Sequence, residues 1–336
     1  MKNIKSITQF VVLLSVGILF IYLSLKQVAP YKEQIIDAFK NANYFWVLIT
    51  LIISFLSHFL RAYRWNFLLA PLGYKTNLFN ATAYVLVGYF ANYGIPRMGE
   101  ITRCTLATKY DKVPFDIAFG TVITERIIDF ILFLFIFILT LAFQFKELIG
   151  LVNEYILFKI SLSFFTLSKS PLKIIFIVVG FLGIMALFFV LRKKTTQFLK
   201  GKFGGFFKGI IQGISSVRKM EKPIQFIVLS IMIWACYFYS LYFCFFALQG
   251  TYQLGQKECL TLLSFGTFGV IFSPGGLGAY PFIVGGILLN SFHIDQVSSF
   301  ALPWLSWSSQ FILILFFGLL SLFLLPIYNR KKNVVS

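Results

Sequence analysis

Apolar residues run through this chain in blocks about 20 residues long, the length that crosses a bilayer as a helix. Eight such blocks are read at residues 7–25, 44–60, 79–93, 117–143, 148–167, 172–191, 224–248 and 301–327. A further block, 260–292, is too long for one span and is broken at Ser273-Pro274-Gly275-Gly276. Interrupted segments of this kind occur where backbone lines a buried cavity or a re-entrant loop. The pattern predicts an all-α polytopic membrane protein, with about eight transmembrane helices plus Pro/Gly-broken re-entrant segments. Residues 1–336 read as a single integral membrane domain.

Charge at the block edges sets the expected topology. Residues 192–222 carry nine Lys/Arg, and the C-terminus closes on Arg330-Lys331-Lys332. Both clusters, like Lys2 and Lys5, are expected to stay cytoplasmic. The block at 148–167 is the weakest, because it holds Asn153, Glu154 and Lys159. Counting from a cytoplasmic N-terminus, 192–222 is inside only if 148–167 spans. The C-terminus is inside only if 260–292 returns to its starting side, as a re-entrant pair or as two short spans. The first block follows Lys2 and Lys5 as a signal peptide would, but no small-residue cleavage site follows, so it reads as an uncleaved helix.

Within the cytoplasmic interval, Leu199, Phe203, Phe206, Ile210, Ile214 and Val217 recur at helical steps, with Lys200, Lys202, Lys208 and Lys219 off the stripe. Residues 192–223 are expected as a cytoplasmic basic amphipathic segment. It lies on an anionic leaflet or against the protein's own cytoplasmic face. Five glycines between Gly201 and Gly213 weaken it as an independent helix.

Composition agrees with the span pattern. The chain is 58% hydrophobic and 12% charged, against roughly 25% charged in a soluble domain. The net charge of +18 would suggest nucleic acid in a soluble protein. Here the bases flank apolar spans, where topology and anionic headgroups account for them, so no nucleic-acid partner is expected. Cys104, Cys236, Cys244 and Cys259 have no zinc spacing, and His58 and His293 are the two histidines. No metal site and no cofactor is expected. Nucleotide loops and hydrolase triads are absent too.

The candidate chemistry lies among charges set in apolar surroundings, which are costly there and face a cavity, a partner or a passage. Arg97, Glu100 and Arg103 recur at three-residue steps after Pro96, so a helix starting there puts them on one side. Proline favours a helix start, and helix N-termini attract anions. The alternative is an external loop with a local salt bridge. Arg61 and Arg64 follow the second block and share a helix face, as a phosphate clamp requires. Anchoring at the membrane edge, with Trp65 in an aromatic belt, is the other reading. His58 lies one turn earlier on that face. Glu125, Arg126 and Asp129 open a strongly apolar block and are expected to turn inward. They serve either as couplers or as a network bracing helices, and one carboxylate pairs with Arg97 or Arg103. Pro274, Gly275, Gly276 and Gly278 form a turn whose amides can cradle an anion. This break and the one at Gly94-Ile95-Pro96 suggest an internal repeat around a binding site.

Taken in order, the stretch SHFLRAYRWNFLLAPLG at 57–73, Gly88-Tyr89-Phe90-Ala91-Asn92, Pro96-Arg97-Met98-Gly99-Glu100, Arg103, Glu125-Arg126-x-x-Asp129 and Ser273-Pro274-Gly275-Gly276-Leu277-Gly278 resembles the lysylphosphatidylglycerol synthase transmembrane-region family. This is the flippase-like domain of the multiple peptide resistance factor. The resemblance covers essentially the whole chain. It implies a bacterial inner-membrane, multi-pass domain with re-entrant elements that binds or translocates a phospholipid. Synthases of that group add a cytosolic aminoacyl-transfer domain. The 336 residues here hold none, so lysylphosphatidylglycerol synthesis by this polypeptide alone is not expected. Many members carry an acidic residue just after the second glycine motif, where this chain has Tyr280-Pro281-Phe282. A mechanism needing that carboxylate lacks it here.

Two functions follow as expectations. The first is a flippase- or scramblase-type transporter holding a phospholipid or other lipid-linked anion at Arg61, Arg64, Asn92, Pro96, Arg97, Glu100, Arg103 and the Pro274–Gly278 turn. The second is a membrane-embedded transferase, or an accessory subunit for a separately encoded enzyme, acting on a lipid-linked substrate.

Overall fold

The computed structural model describes residues 15, 18–95, 98–151, 211–213 and 215–335. Every regular element among them is helical. In chain order these are α1 (18–28), α2 (Lys32–Lys40), α3 (Tyr44–Leu69), α4 (Leu78–Gly94), α5 (Met98–Asp111), α6 (Phe115–Leu151), α7 (Pro223–Cys244), α8 (Gln256–Phe272), α9 (Ala279–Asn290) and α10 (Gln296–Val335). Short 3-10 turns link several of them. Four stretches among the described residues are long and apolar enough to cross a bilayer: Tyr44–Leu72, Phe115–Gln144, Pro223–Ala247 and Gln296–Arg330. The expected span at 172–191, most of those at 7–25 and 148–167, and most of the amphipathic segment at 192–223 lie outside the described residues.

Local chemistry explains where the helices begin. Asn43 accepts from the Phe45 amide at the start of α3, and Asn77 accepts from the Phe79 and Asn80 amides at the start of α4. These are N-caps, in which a side-chain oxygen satisfies amides the helix leaves free. Pro223 opens α7, where the missing N–H costs nothing. At α8, Glu258 reaches back to the Gly255 amide at 2.9 Å.

Contacts give the spans their directions. α3 and α7 are antiparallel: Thr50 and Ser54 meet Ser240 at one end, and Arg64 meets Ser230 nearer the other. α6 is antiparallel to α3, with Trp65 donating to Thr121 and Arg61 to Asp129. α10 is antiparallel to α4, since Trp307 and Phe311 pack on Tyr93 while Asn329 bonds Asn80. One side of the bundle therefore carries the ends of α3 and α10 and the starts of α4, α6 and α7. It holds Lys75, Lys109, Lys112, Lys222 and Arg330 against Asp111, Asp116 and Glu221. The other side balances Lys26, Lys32, Lys40 and Lys257 against Glu33, Asp37, Glu258 and Asp295. The first is the basic side.

Two helical hairpins complete the architecture. α4, expected as a span of its own, turns back at Ile95 into α5. Gly88 lies against Gly99, and both Asn80 and Tyr84 bond Asp111 near the end of α5. A Cβ on Gly99 would overlap the Gly88 carbonyl oxygen, so glycine permits this approach. α8 and α9 form the second hairpin. Gly269 packs on the Tyr280 backbone and Gly266 on the side chains of Tyr280 and Val284, which sets the legs antiparallel. The break expected inside 260–292 falls at Ser273–Gly278, between these legs. α4 has 17 residues and α9 has 12, so at about 1.5 Å per residue they reach about 25 and 18 Å, short of an apolar layer of about 30 Å.

The hairpins open on opposite sides. The first opens on the basic side, where α3 ends. The second opens on the other side, where α7 ends beside Asn43. Their tips meet inside the bundle: Gly275 lies against the Tyr93 ring, leaving no space for a Cβ, and Trp307 donates to the Gly275 carbonyl at 2.9 Å. α1 crosses the second tip, with Ile21 against Gly278. Tyr93→Cys combined with Gly275→Cys, in a chain whose four native cysteines are replaced by alanine, is expected to form a disulfide under mild oxidation. Mass spectrometry reads the linked peptide, and its absence would mean that the tips do not meet.

Candidate functional site

Helix α3 does not end at residue 60. It continues to Leu69, so Arg61 and Arg64 lie within the spanning helix and not at the membrane edge. The physical reason is neutralisation: both guanidiniums meet carboxylates from α6, and a neutralised charge does not need the interface. Glu125, Arg126 and Asp129 lie well inside α6, with Asp129 at the middle of its Phe115–Gln144 stretch.

The geometry is dense. Arg61 Nη1 donates to Glu125 Oε1 at 2.6 Å and to Asp129 Oδ2 at 2.8 Å. Its Nη2 donates to the Tyr237 hydroxyl at 2.9 Å. Arg64 Nη1 donates to Ser230 Oγ at 2.8 Å and lies 2.8 Å from Asp129 Oδ1; its Nη2 is 3.3 Å from Glu125 Oε1. Arg103, on α5, brings Nη2 to 3.1 Å from Glu125 Oε2 and stacks over Trp65 at 4.1 Å. Arg126 Nη2 is 3.1 Å from Glu100 Oε1. Five helices, α3 to α7, thus contribute to one cluster or its walls.

Burial grades the cluster. Arg61 is 3% exposed, Arg64 0% and Glu125 0%. The Arg126–Glu100 pair sits at the rim, with side chains 41% and 24% exposed. Among the described residues the cluster holds four guanidiniums (Arg61, Arg64, Arg103, Arg126) against three carboxylates (Glu100, Glu125, Asp129), an excess of one positive charge. The Nε–H groups of all four arginines are buried without a hydrogen-bond acceptor among the described residues, as is the Glu100 Oε2 acceptor. Several ion-pair contacts, such as Arg103 Nη2 to Glu125 Oε2, are close in distance but misaligned as hydrogen bonds. Buried donors without acceptors are costly, about 1–3 kcal/mol each. An anion is the chemistry that satisfies both the excess charge and the donors.

A cleft opens on this cluster between α4, α5 and α6. Tyr89, Asn92, Glu100, Arg103 and Arg126 line it, with Gly88 and Gly99 at its floor. It has room for about one water. Asn92 Oδ1 accepts from the Gly99 amide at 2.7 Å and so closes the start of α5. Pro96 and Arg97 lie outside the described residues. His58 is buried, its ring 4.7 Å from that of Tyr89, and its Nδ1 has no partner among the described residues.

Among the described residues the second break meets this region through aromatic rings. The amides of Gly276 and Leu277 bond the Ser273 and Pro274 carbonyls within the turn, so neither is offered to a ligand. Positive φ at Gly275, Gly276 and Gly278 (+58°, +78°, +74°) explains why glycines form it. Among the described residues the turn faces Tyr93 and Trp307. Ser230, Tyr237 and Trp65 as cluster partners were not anticipated from the sequence. Ser230 and Tyr237 are seven apart, two turns on one face of an apolar helix, which is the pattern that points to them. Among the described residues no group of three or more His, Cys, Asp or Glu could hold a metal.

Comparisons bear on this arrangement. A family model described as the lysylphosphatidylglycerol synthase TM region matches residues 9–318. A "UPF0104 membrane protein" of Methanocaldococcus jannaschii is 34% identical over 138 residues, 40% of each chain; the match thus spans less than half of that relative's length. No solved structure matches significantly.

The graded burial predicts unequal costs. Asp129→Asn leaves Arg61 and Arg64 short of charge in the interior and is expected to cost about 3–5 kcal/mol. Glu100→Gln, at the rim, is expected to cost less than about 1 kcal/mol. Thermal unfolding in detergent ranks them, and equal losses would contradict the cluster's graded burial.

Proposed function

We propose, since the chain belongs to the lysylphosphatidylglycerol synthase TM-region family, that this multi-pass membrane protein is a lipid translocator of the flippase or scramblase type. It takes an anionic phospholipid headgroup at the arginine cluster. The observation that carries the reading is the excess charge among the described residues: four guanidiniums against three carboxylates, each arginine with an Nε–H that has no described acceptor, beside a cleft between α4, α5 and α6. Arginine's planar fork matches phosphate oxygens, and a monoanionic phosphodiester cancels one positive charge.

The headgroup enters at the rim. Phosphate displaces the Glu100 carboxylate from Arg126, the most exposed pair of the cluster, and then meets Arg103. Acyl chains stay in the bilayer along the exposed apolar face of α6, where Phe130, Ile131, Phe135 and Ile138 face outward. The hairpin tips, touching at Tyr93 and Gly275, divide the two sides. The chain shows no nucleotide-binding fingerprint, so movement is downhill or ion-coupled. The basic side is cytoplasmic by the positive-inside rule, which places the C-terminal end of α10 inside.

Two measurements test this. In proteoliposomes with fluorescent phosphatidylglycerol, dithionite bleaching is expected to show Arg126→Gln and Arg103→Lys flipping about ten- to a hundredfold slower than wild type, as losing a charge-assisted hydrogen bond of about 1.5–3 kcal/mol requires. Rates equal to wild type would sink the site. A protein that moves no lipid but co-purifies with a separately encoded enzyme would be an accessory subunit instead. For topology, Lys109→Cys in cells should react with an impermeant maleimide only after the cytoplasmic face is opened.

A further inference from the structure

We propose that His58 is a proton-coupling residue of the anion site: it takes up a proton when a monoanionic phosphodiester enters the cleft and gives it back when the anion leaves. The inference rests on the anion-site reading above and adds how that site is driven.

His58 lies at the middle of the Tyr44–Leu72 stretch. It is 7% exposed, and its Nδ1 has no partner among the described residues. The Tyr89 ring, 4.7 Å from it, is also a wall of the cleft, so one aromatic ring separates the imidazole from the anion's place. Titratable and charged groups lie on every element around it. On α3 itself Arg61 lies one turn on. From α4 comes Tyr89, whose ring centre is 6.0 Å from the Arg61 guanidinium carbon. From α6 come Glu125 and Asp129, both held by Arg61, and Arg126 across the cleft. From α7 comes Tyr237, bonded to Arg61. α10 also packs on α3, but its described titratable side chains, Tyr328 and Arg330, lie at its far end.

Of this set, imidazole is the side chain whose ordinary titration falls between about pH 5 and 8. Arginine stays charged. Glu125 and Asp129, which the sequence offered as couplers, are each gripped by more than one guanidinium. Giving either a proton would break the cluster.

Charge then dictates the order of events. The empty cluster already carries one excess positive charge, and a proton on His58 would add a second beside Arg61. A bound phosphodiester cancels the first and makes room for that proton. Binding linkage is reciprocal: the anion raises the ring's proton affinity by the same factor that the proton raises anion affinity. The proton comes from water reaching the cleft and is held at Nδ1. Anion and proton together carry no net charge, so a proton gradient drives the pair and membrane voltage does not.

Isothermal titration of the detergent-solubilised protein with dioctanoyl phosphatidylglycerol tests this. The titration is run at pH 6.5 in two buffers of different ionisation heat. Wild type is expected to take up roughly half to one proton per lipid, the range open to an imidazole, and to bind more weakly as pH rises to 8. His58→Asn and His58→Gln, checked for folding by thermal unfolding, are expected to show no buffer dependence and no pH trend. Buffer-independent heat in wild type, or proton uptake that persists in both variants, overturns the coupling and leaves the anion site standing. Absence of lipid binding by wild type at every pH overturns the anion site itself and the coupling with it.

Discussion

The need to neutralise buried guanidinium charge governs this fold. A charged side chain at the centre of a bilayer costs about 2.5–3.5 kcal/mol even on the mildest scale. The seven charges of the cluster, left unpaired, would therefore oppose insertion by about 20 kcal/mol. Pairing removes most of that opposition, but only if the helices stand in one register. Arg61 and Arg64 come from α3, Arg103 from α5, Glu125 and Asp129 from α6. Sliding any of these helices by one turn, about 5.4 Å, would separate every pair it makes. Apolar contacts cannot supply this discrimination, since lipid tails are as apolar as the helix faces.

The hairpins solve a second constraint. Irregular backbone inside a bilayer must be shielded from lipid. The second break is shielded in this way: Tyr93 covers Gly275, Trp307 bonds its carbonyl, and Ile21 covers Gly278. Glycines at Gly88, Gly99, Gly266 and Gly269 bring the legs of each hairpin close enough for backbone to shield backbone. Helices too short to span thus enter from opposite sides and end where the cluster begins. Of the two hairpins, the first supplies Glu100 and Arg103 to the charge cluster, and among the described residues the second supplies no member of it. The two halves resemble each other in backbone plan and differ in chemistry.

Much of this was legible in the chain. Block length gave the spanning helices, and Ser273-Pro274-Gly275-Gly276 marked the second break because few residues tolerate its positive φ. Charges in apolar surroundings pointed to Arg61, Arg64, Arg103, Glu125 and Asp129. Depth was misjudged. A hydrophobic block ends at its first arginine, whereas a helix ends where its backbone bonds end, and α3 bonds on to Leu69. The fold-back at Ile95 is hidden for a related reason: α4 is as apolar as a span, and the contacts that bring α5 back beside it, Gly88 with Gly99 and Asn80 and Tyr84 with Asp111, join residues that the pattern of apolar blocks does not link. Ser230 and Tyr237 carry a weak signal, two hydroxyls seven apart on one face of an apolar helix, which acquires meaning when guanidiniums face it.

The cluster's tightness bears on how it works. A cleft with room for one water does not hold a phosphate headgroup, so the anion must replace a group already present. Burial orders the candidates. Glu125, at 0% exposure with three arginines around it, cannot leave without stranding several charges. Among the described residues Glu100 meets one arginine, is partly exposed, and keeps one carboxylate oxygen without a partner. It is the ligand that yields. Glu100 shifts along the rim to make room and stays beside the arginines, so the arriving phosphodiester adds its charge to the cluster and cancels the excess. The deeper pairs keep the helices in register throughout. One part of the network thus holds the fold, and its rim remains exchangeable.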